Sequence, residues 1–180
     1  MPDINFKPYS VPIACLALVL TALPFIASSN ELNGYMMSIQ ANAPGIEHLR
    51  AGDYRKAIAA SRSVLAEPGW KAAAHNNICV CYTILKDYKR AQRSCAKAVK
   101  ILQAAKARQR SSKRQDTTSL AMAYSNRGVL RALSDDLQSA HRDFIKAQKY
   151  AANSQKYEHN YALLQWNLSI NGVDTRISAN

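Results

Sequence analysis

A short apolar pattern that returns at a fixed offset constrains this chain more than any other feature. Residues 70–102, WKAAAHNNICVCYTILKDYKRAQRSCAKAVKIL, place Ile78, Cys79, Tyr82 and Leu85 on one helical face. After a break at Lys86-Asp87, Tyr88, Ala91, Cys95, Ala98, Val99 and Leu102 form a second such face. Helices this short do not each hide an apolar stripe alone, so the spacing predicts a helical hairpin that packs on itself and on neighbours. The neighbours are in the sequence. A shift of 34 residues lays Gly45 on Cys79, Asp53-Tyr54 on Asp87-Tyr88 and Ala57 on Ala91, and a shift of 49 lays Asn126 on Asn77 and Ala140 on Ala91. The expected product is an all-α repeat array.

The breakers set the expected boundaries. Pro44-Gly45 is poor inside a helix and acceptable in a first turn, so the first hairpin is placed at about 44–67, with its opening helix beginning near Asn42 to Pro44 and Ala57, Ile58, Val64 and Leu65 inward. Glu67-Pro68-Gly69 ends it. The second hairpin covers about 70–110, and a fifteen-residue excess over the first offset is read as an insertion before the third, at about 117–152. A last helix, 157–170, has no partner after it and is expected to cap the open end; 171–180 is a tail.

Before the array, Val11 to Ala27 carries no charge, follows Lys7 and precedes Ser28-Ser29-Asn30, which is the arrangement of a secretory signal. Cleavage is expected near Ser29, leaving an exported, periplasmic or secreted chain; an uncleaved N-terminal anchor is the alternative. Residues 30–43 read as a spacer of weak helical tendency, interrupted by Asn33, Gly34 and Asn42.

These units resemble tetratricopeptide repeats, of the exported bacterial type. The resemblance rests on Asn77-Ile78-Cys79, Tyr82, Asp87-Tyr88, Ala91 and Ala98, on Asn126-Arg127-Gly128, Ala140, Phe144 and Ala147, and on Gly45, Gly52-Asp53-Tyr54 and Ala57. Cys79 stands where a small glycine or alanine is usual. The family resemblance implies a right-handed α-solenoid of three hairpins plus a capping helix, acting as a noncatalytic module that binds a protein or peptide in its concave groove. Carried over residue by residue, that groove includes Asn76, Asn77, Val80, Ile84, Asn126, Val129, Leu133, Leu163 and Trp166, with Ile46, Leu49, Ser125 and His159 beside them. Of the polar set that grips a terminal carboxylate in some members only Asn77 fits, so no carboxylate clamp is expected. Asn77 and Asn126 can instead hold an extended main chain by their amides, and Val80, Ile84, Val129 and Leu133 can take apolar side chains or form interhelix core.

Charge adds a second candidate surface. The chain carries a net +12, and the segment from Lys86 to Arg114 holds eleven Lys or Arg against Asp87 alone. The candidate patch is Lys89, Arg93, Lys97, Lys100, Lys106, Arg108, Arg110, Lys113 and Arg114. Lys89, Arg93 and Lys97 stand four apart on one stripe, where each like-charge pair costs about 0.2–0.5 kcal/mol. The readings are a solvated convex face, or a dock for an acidic protein or an anionic lipid or polymer surface. Nucleic acid is disfavoured, because a leader directs the chain away from it and aromatic interleaving is sparse.

Cys79 lies about seven residues before the hairpin turn and Cys95 about eight after it. In an oxidising compartment they are a candidate disulfide, with buried thiols as the alternative and Cys81 left over. A redox role for the three is the third functional reading. His75 and Cys79 share a helical face, but two ligands are too few for a metal, and neither a phosphate loop nor a nucleophile elbow is present, so neither cofactor nor catalysis is expected.

Overall fold

The computed structural model describes residues 32–108 and 115–170, so the expected leader, Arg110, Lys113, Arg114 and the tail lie outside the described residues. Seven helices follow in order: α1 Ile46–Arg50, α2 Tyr54–Ser63, α3 Lys71–Ile84, α4 Tyr88–Arg108, α5 Gln115–Leu133, α6 Leu137–Tyr150 and α7 Gln155–Ile170. No strand occurs among the described residues. The helices pair as α1 with α2, α3 with α4 and α5 with α6, and the first helices of successive hairpins pack on the second helix of the one before, with α7 closing on α6. This is an all-α solenoid.

One turn device recurs at the two offsets. Gly52, Lys86 and Asp135 all take left-handed backbone, with φ of 81, 58 and 62°. An aspartate follows each. The Asp87 carboxylate accepts the N–H of Arg90 at 3.0 Å and Asp136 accepts that of Ser139 at 3.2 Å, satisfying first-turn donors that the helix itself leaves open. Small residues then let the paired helices close. Ala57, Ala91 and Ala140 are each 1% exposed or less.

The same helix crossing is filled in two different ways at positions 49 apart. In the third hairpin Gly128 faces the ring of Phe144, and a Cβ there would lie 2.6 Å from Phe144 Cε1. In the second, the equivalent pair is Cys79 and Cys95, and a disulfide joins them across a Cα–Cα distance of 5.0 Å. A covalent bridge thus stands where the other hairpin uses a glycine against a ring, which accounts for Cys79 at a position where a small residue is usual.

Three boundaries depart from expectation, each for a local reason. α1 starts only at Ile46, because Gly45 before it has φ 83° and cannot continue a right-handed turn backwards. α2 ends at Ser63, leaving Val64 and Leu65 half-buried in the following turn rather than on the helix. Leu85, expected inward, is 41% exposed, since α3 ends at Ile84 and Leu85 is already its C-cap.

The spacer differs most. Residues 35–40 are extended, entered through a turn with positive φ at Asn33 and Gly34 and left through turns at 41–45. Leu32, Tyr35 and Met37 are buried in the main apolar cluster, together with Val80, Ile84, Val129, Leu130, Phe144, Leu164 and Leu168. The alternation of buried rings and thioethers with residues whose main chain is otherwise bonded is the period of a strand, which overrides the weak helical tendency of the segment.

Candidate functional site, a concave groove with an asparagine ladder

Three buried or half-buried main-chain units of the extended segment are each held by one asparagine. Asn160 Oδ1 accepts the N–H of Met36 at 2.8 Å, and its Nδ2 donates to the Met36 carbonyl at 2.7 Å. Asn126 does the same for Ser38, at 2.8 and 2.7 Å. Asn77 does the same for Gln40, at 2.9 and 3.3 Å. In an extended chain the N–H and C=O of one residue point to the same side and those of the next to the other. Every second residue therefore presents a complete donor-acceptor pair to the groove, and a carboxamide carries the complementary pair.

The ladder comes from three helices in the order α7, α5, α3, so the segment crosses the array from its last unit towards its first. Asn76 braces it: its Nδ2 donates to the Ser38 carbonyl at 3.2 Å while its Oδ1 accepts from Asn126 Nδ2 at 3.0 Å. Ser125 Oγ accepts from Asn160 Nδ2 at 3.1 Å, and Gln40 Nε2 donates to Ser119 Oγ at 3.1 Å. Asn76, Asn77, Asn126 and Asn160 are all within 2% of full burial, so their amide orientations are fixed by these bonds.

Side chains of the segment are also received. The Tyr35 ring stacks on Phe144 with centroids 6.1 Å apart, and its hydroxyl accepts from Asn167 Nδ2 at 3.2 Å. Burial pushes the phenols of Tyr35 and Tyr157 up, offset in part by their hydrogen bonds to Asn167 and Ser38. Met37 is buried and Ile39 packs half-buried against the same cluster. His159 Nε2 lies 3.0 Å from the Gly34 carbonyl, and Leu163 Cδ2 sits where a Cβ on Gly34 would approach to 3.2 Å. Beside the segment a cleft of about 440 Å³ remains, lined by Met36, Ile39, Arg50, Met122, Lys156 and Tyr157 among others.

The groove residues read from the sequence fall into three sets. Asn76, Asn77 and Asn126 touch the extended segment directly. Val80, Ile84 and Val129 are buried in the cluster that holds Tyr35 and Met37, while Leu133 and Leu163 pack half-buried against it, so these aliphatics share one core with the chain's own segment. Trp166 is 61% exposed and makes no part of the ladder. Sequence reasoning passed over Asn160, although it lies 34 residues after Asn126, the repeat period itself.

Of the basic candidates, Lys89, Arg93, Lys97, Lys100, Lys106 and Arg108 are exposed along α4. They divide between faces. Lys89 lines a cleft with Tyr88, Gln92, Arg127 and Arg131, where buried Asp143 takes a bidentate bond from Arg127 at 2.8 and 2.7 Å and another from Arg131 at 2.6 Å. Lys106 Nζ stands 3.9 Å over the Tyr150 ring. Arg93 and Lys97 line a separate, smaller cleft with His75.

The thiol reading finds little to act with. Cys79 and Cys95 are bonded to each other and 1% exposed, and Cys81 is wholly buried, its thiol pushed up to about 12 by burial. Among the described residues no group of three His, Cys, Asp or Glu is placed to share a metal ion.

No family model matches the sequence, and no curated protein matches it either. Solved structures do. The chain is similar to the first tetratricopeptide domain of Spaghetti (RPAP3) bound to an HSP90 peptide, SRMEEVD, at 19% identity and a TM-score of 0.56, over 69% of this chain and 87% of that one. It is also similar to the first such domain of the human RPAP3 protein, at 18% identity and a TM-score of 0.58, over 72% and 91%. The fold is that of tetratricopeptide repeats.

Proposed function

We propose that this chain is a noncatalytic protein-interaction module that grips a partner as an extended strand in its concave groove. The observation that carries the reading is the ladder: Asn77, Asn126 and Asn160 each complete both main-chain bonds of every second residue of a bound strand. Main-chain recognition supplies affinity without fixing sequence, and the apolar cluster behind it supplies selectivity. The similar domain that holds an HSP90 peptide supports a peptide as the class of partner. Export through the apolar leader fits the Cys79–Cys95 bridge, which persists in oxidising compartments.

The reading is tested with a fluorescent synthetic peptide of residues 33–42, NGYMMSIQAN, titrated into the whole protein to millimolar concentration. Saturable binding that is lost in Asn126→Ala, with helical circular dichroism retained, is expected. Binding indifferent to that substitution refutes the ladder as the site.

A further inference from the structure

We infer that residues 35–40 are the groove's own resident ligand, and that the partner it fits is an uncharged strand of the same pattern which enters by displacing them. This rests on the proposed strand-binding groove and names its partner class and its control. The segment YMMSIQ carries no charge, and its alternate side chains meet defined receivers: the Tyr35 ring on Phe144, Met37 in the apolar cluster, Ile39 at its edge. Between them Ser38 is 7% exposed, with room for a small polar side chain only. A charged residue at the position of Met37 would be buried without a partner, so the groove rejects acidic and basic strands at that step.

The resident strand is held along its length and tied to α1 by only the turns at 41–45. With cleavage near Ser29 its other end becomes the chain's N-terminus, so it is a one-ended arm that can peel away without opening a loop. A short tether holds a ligand at an effective concentration on the order of millimolar. An external strand of equal intrinsic affinity therefore competes only near that concentration, and weakening the arm exposes the groove's intrinsic affinity. The cleft beside Met36 and Ile39 gives an incoming strand a place to start.

The test titrates the 33–42 peptide into the whole protein and into two arm variants. Ser38→Pro deletes the N–H that Asn126 accepts, and the double variant Tyr35→Ser, Met37→Ser empties the side-chain receivers while keeping the main chain. At least tenfold tighter binding in either variant, lost again on adding Asn126→Ala, is expected, together with at least tenfold weaker binding of a peptide carrying Glu for Met37. Equal affinity in wild type and both variants overturns the resident-ligand inference and leaves strand binding standing. No binding in any of them removes the groove reading itself.

A second, separate observation concerns the basic stripe. The geometry points to a site for a phosphate-sized oxyanion in the cleft of about 160 Å³ between α2, α3 and α4, lined by Arg62, His75, Arg90, Arg93, Ser94 and Lys97. No acid lines it. His75 is 7% exposed, and its Nδ1 is the buried side-chain nitrogen or oxygen without a hydrogen-bond partner among the described residues. Arg62 is turned onto the Tyr82 hydroxyl at 2.8 Å and Arg90 is paired with Asp87 at the rim, which leaves Arg93 and Lys97 as the exposed cations of the cleft that His75 lines. Burial and the charges of Lys97 and Lys71 hold the imidazole below its usual range. A bound oxyanion offsets those charges, so it must raise the His75 pKa and bind more tightly as pH falls.

Titration of His75 by NMR, with and without 20 mM (on the order of tenfold above a millimolar Kd) inorganic phosphate, acetate or vesicles containing phosphatidic acid, decides this. A rise with phosphate, abolished in Arg93→Ala and Lys97→Ala and kept in Lys89→Ala, is expected; a rise with vesicles alone assigns the oxyanion to a lipid headgroup. No change with any ligand, or equal loss in Lys89→Ala, overturns the site.

Discussion

Replacing Asn126 by alanine isolates what the ladder contributes. The side chain is wholly buried and makes three bonds, accepting from Ser38 N–H and donating to the Ser38 carbonyl and to Asn76 Oδ1. On its removal the Ser38 carbonyl keeps Asn76 Nδ2 at 3.2 Å, whereas Ser38 N–H and Asn76 Oδ1 lose their partner in a site closed to water. Each such orphan costs about 1–3 kcal/mol, so the expected loss is about 3–5 kcal/mol, a large share of the roughly 5–15 kcal/mol typical of a domain. Asn160→Ala orphans the N–H and the carbonyl of Met36, which is only half-buried, so water replaces part of what is lost and the expected cost is about 1–2 kcal/mol. Urea unfolding followed by circular dichroism measures both. A loss under about 1 kcal/mol for Asn126→Ala, or a larger loss for Asn160→Ala, would refute the view that burial of the strand's main chain gives the ladder its strength.

Other outcomes follow from the same packing. Gly128→Ala gains about 1 kcal/mol of helix propensity but drives a Cβ against Phe144, so thermal unfolding should show a net loss of about 1–2 kcal/mol; stabilisation would mean the ring moves freely. Reducing the Cys79–Cys95 bridge opens a loop of sequence separation 16, for which chain entropy gives about 3 kcal/mol, read as a lowered urea midpoint in dithiothreitol. Native alkylation at pH 8 should leave Cys81 unlabelled, its thiol being buried and pushed up to about 12; labelling before unfolding would contradict that burial. His75 and His141 are held below their unfolded value by burial, so the unfolded state binds more protons between the folded pKa and about 6.5. Stability should therefore fall as pH drops through that window, and the fall of the urea midpoint should be shallower in His75→Gln than in wild type, His141 carrying the remainder; an equal fall in both would refute the share assigned to His75.

The helical hairpins were legible because their determinants are local. Ala57, Ala91 and Ala140, and the aspartates after the left-handed residues, recur at offsets that any stacked hairpin must respect. Asn77 and Asn126 were visible as a pair for the same reason. Asn160 was harder to see: the same offset places its α7 neighbours His159 and Leu163 in the groove, but an asparagine on a capping helix with no second helix has no local pattern to mark it as a main-chain partner. The extended segment was the least legible part. Its six residues are too few to show a clear alternation, and its partners lie 37, 88 and 124 positions away, at distances where nothing local records the pairing. Leu85 was misplaced by a single residue of helix end, the least determined feature of any helical pattern.

The strand that lies across all three asparagines joins the last unit of the solenoid to the first. Stacked repeats ordinarily touch only their neighbours, so that an end can fray while the middle stays intact. Here loosening α7 also frees Met36, and so removes one of three anchors from a segment that α5 and α3 hold as well. It also inverts the order of birth and settlement. The piece of the domain synthesised earliest lodges in full only once Asn160 has been made and folded, more than a hundred positions later, its anchors at Asn77, Asn126 and Asn160 arriving one after another.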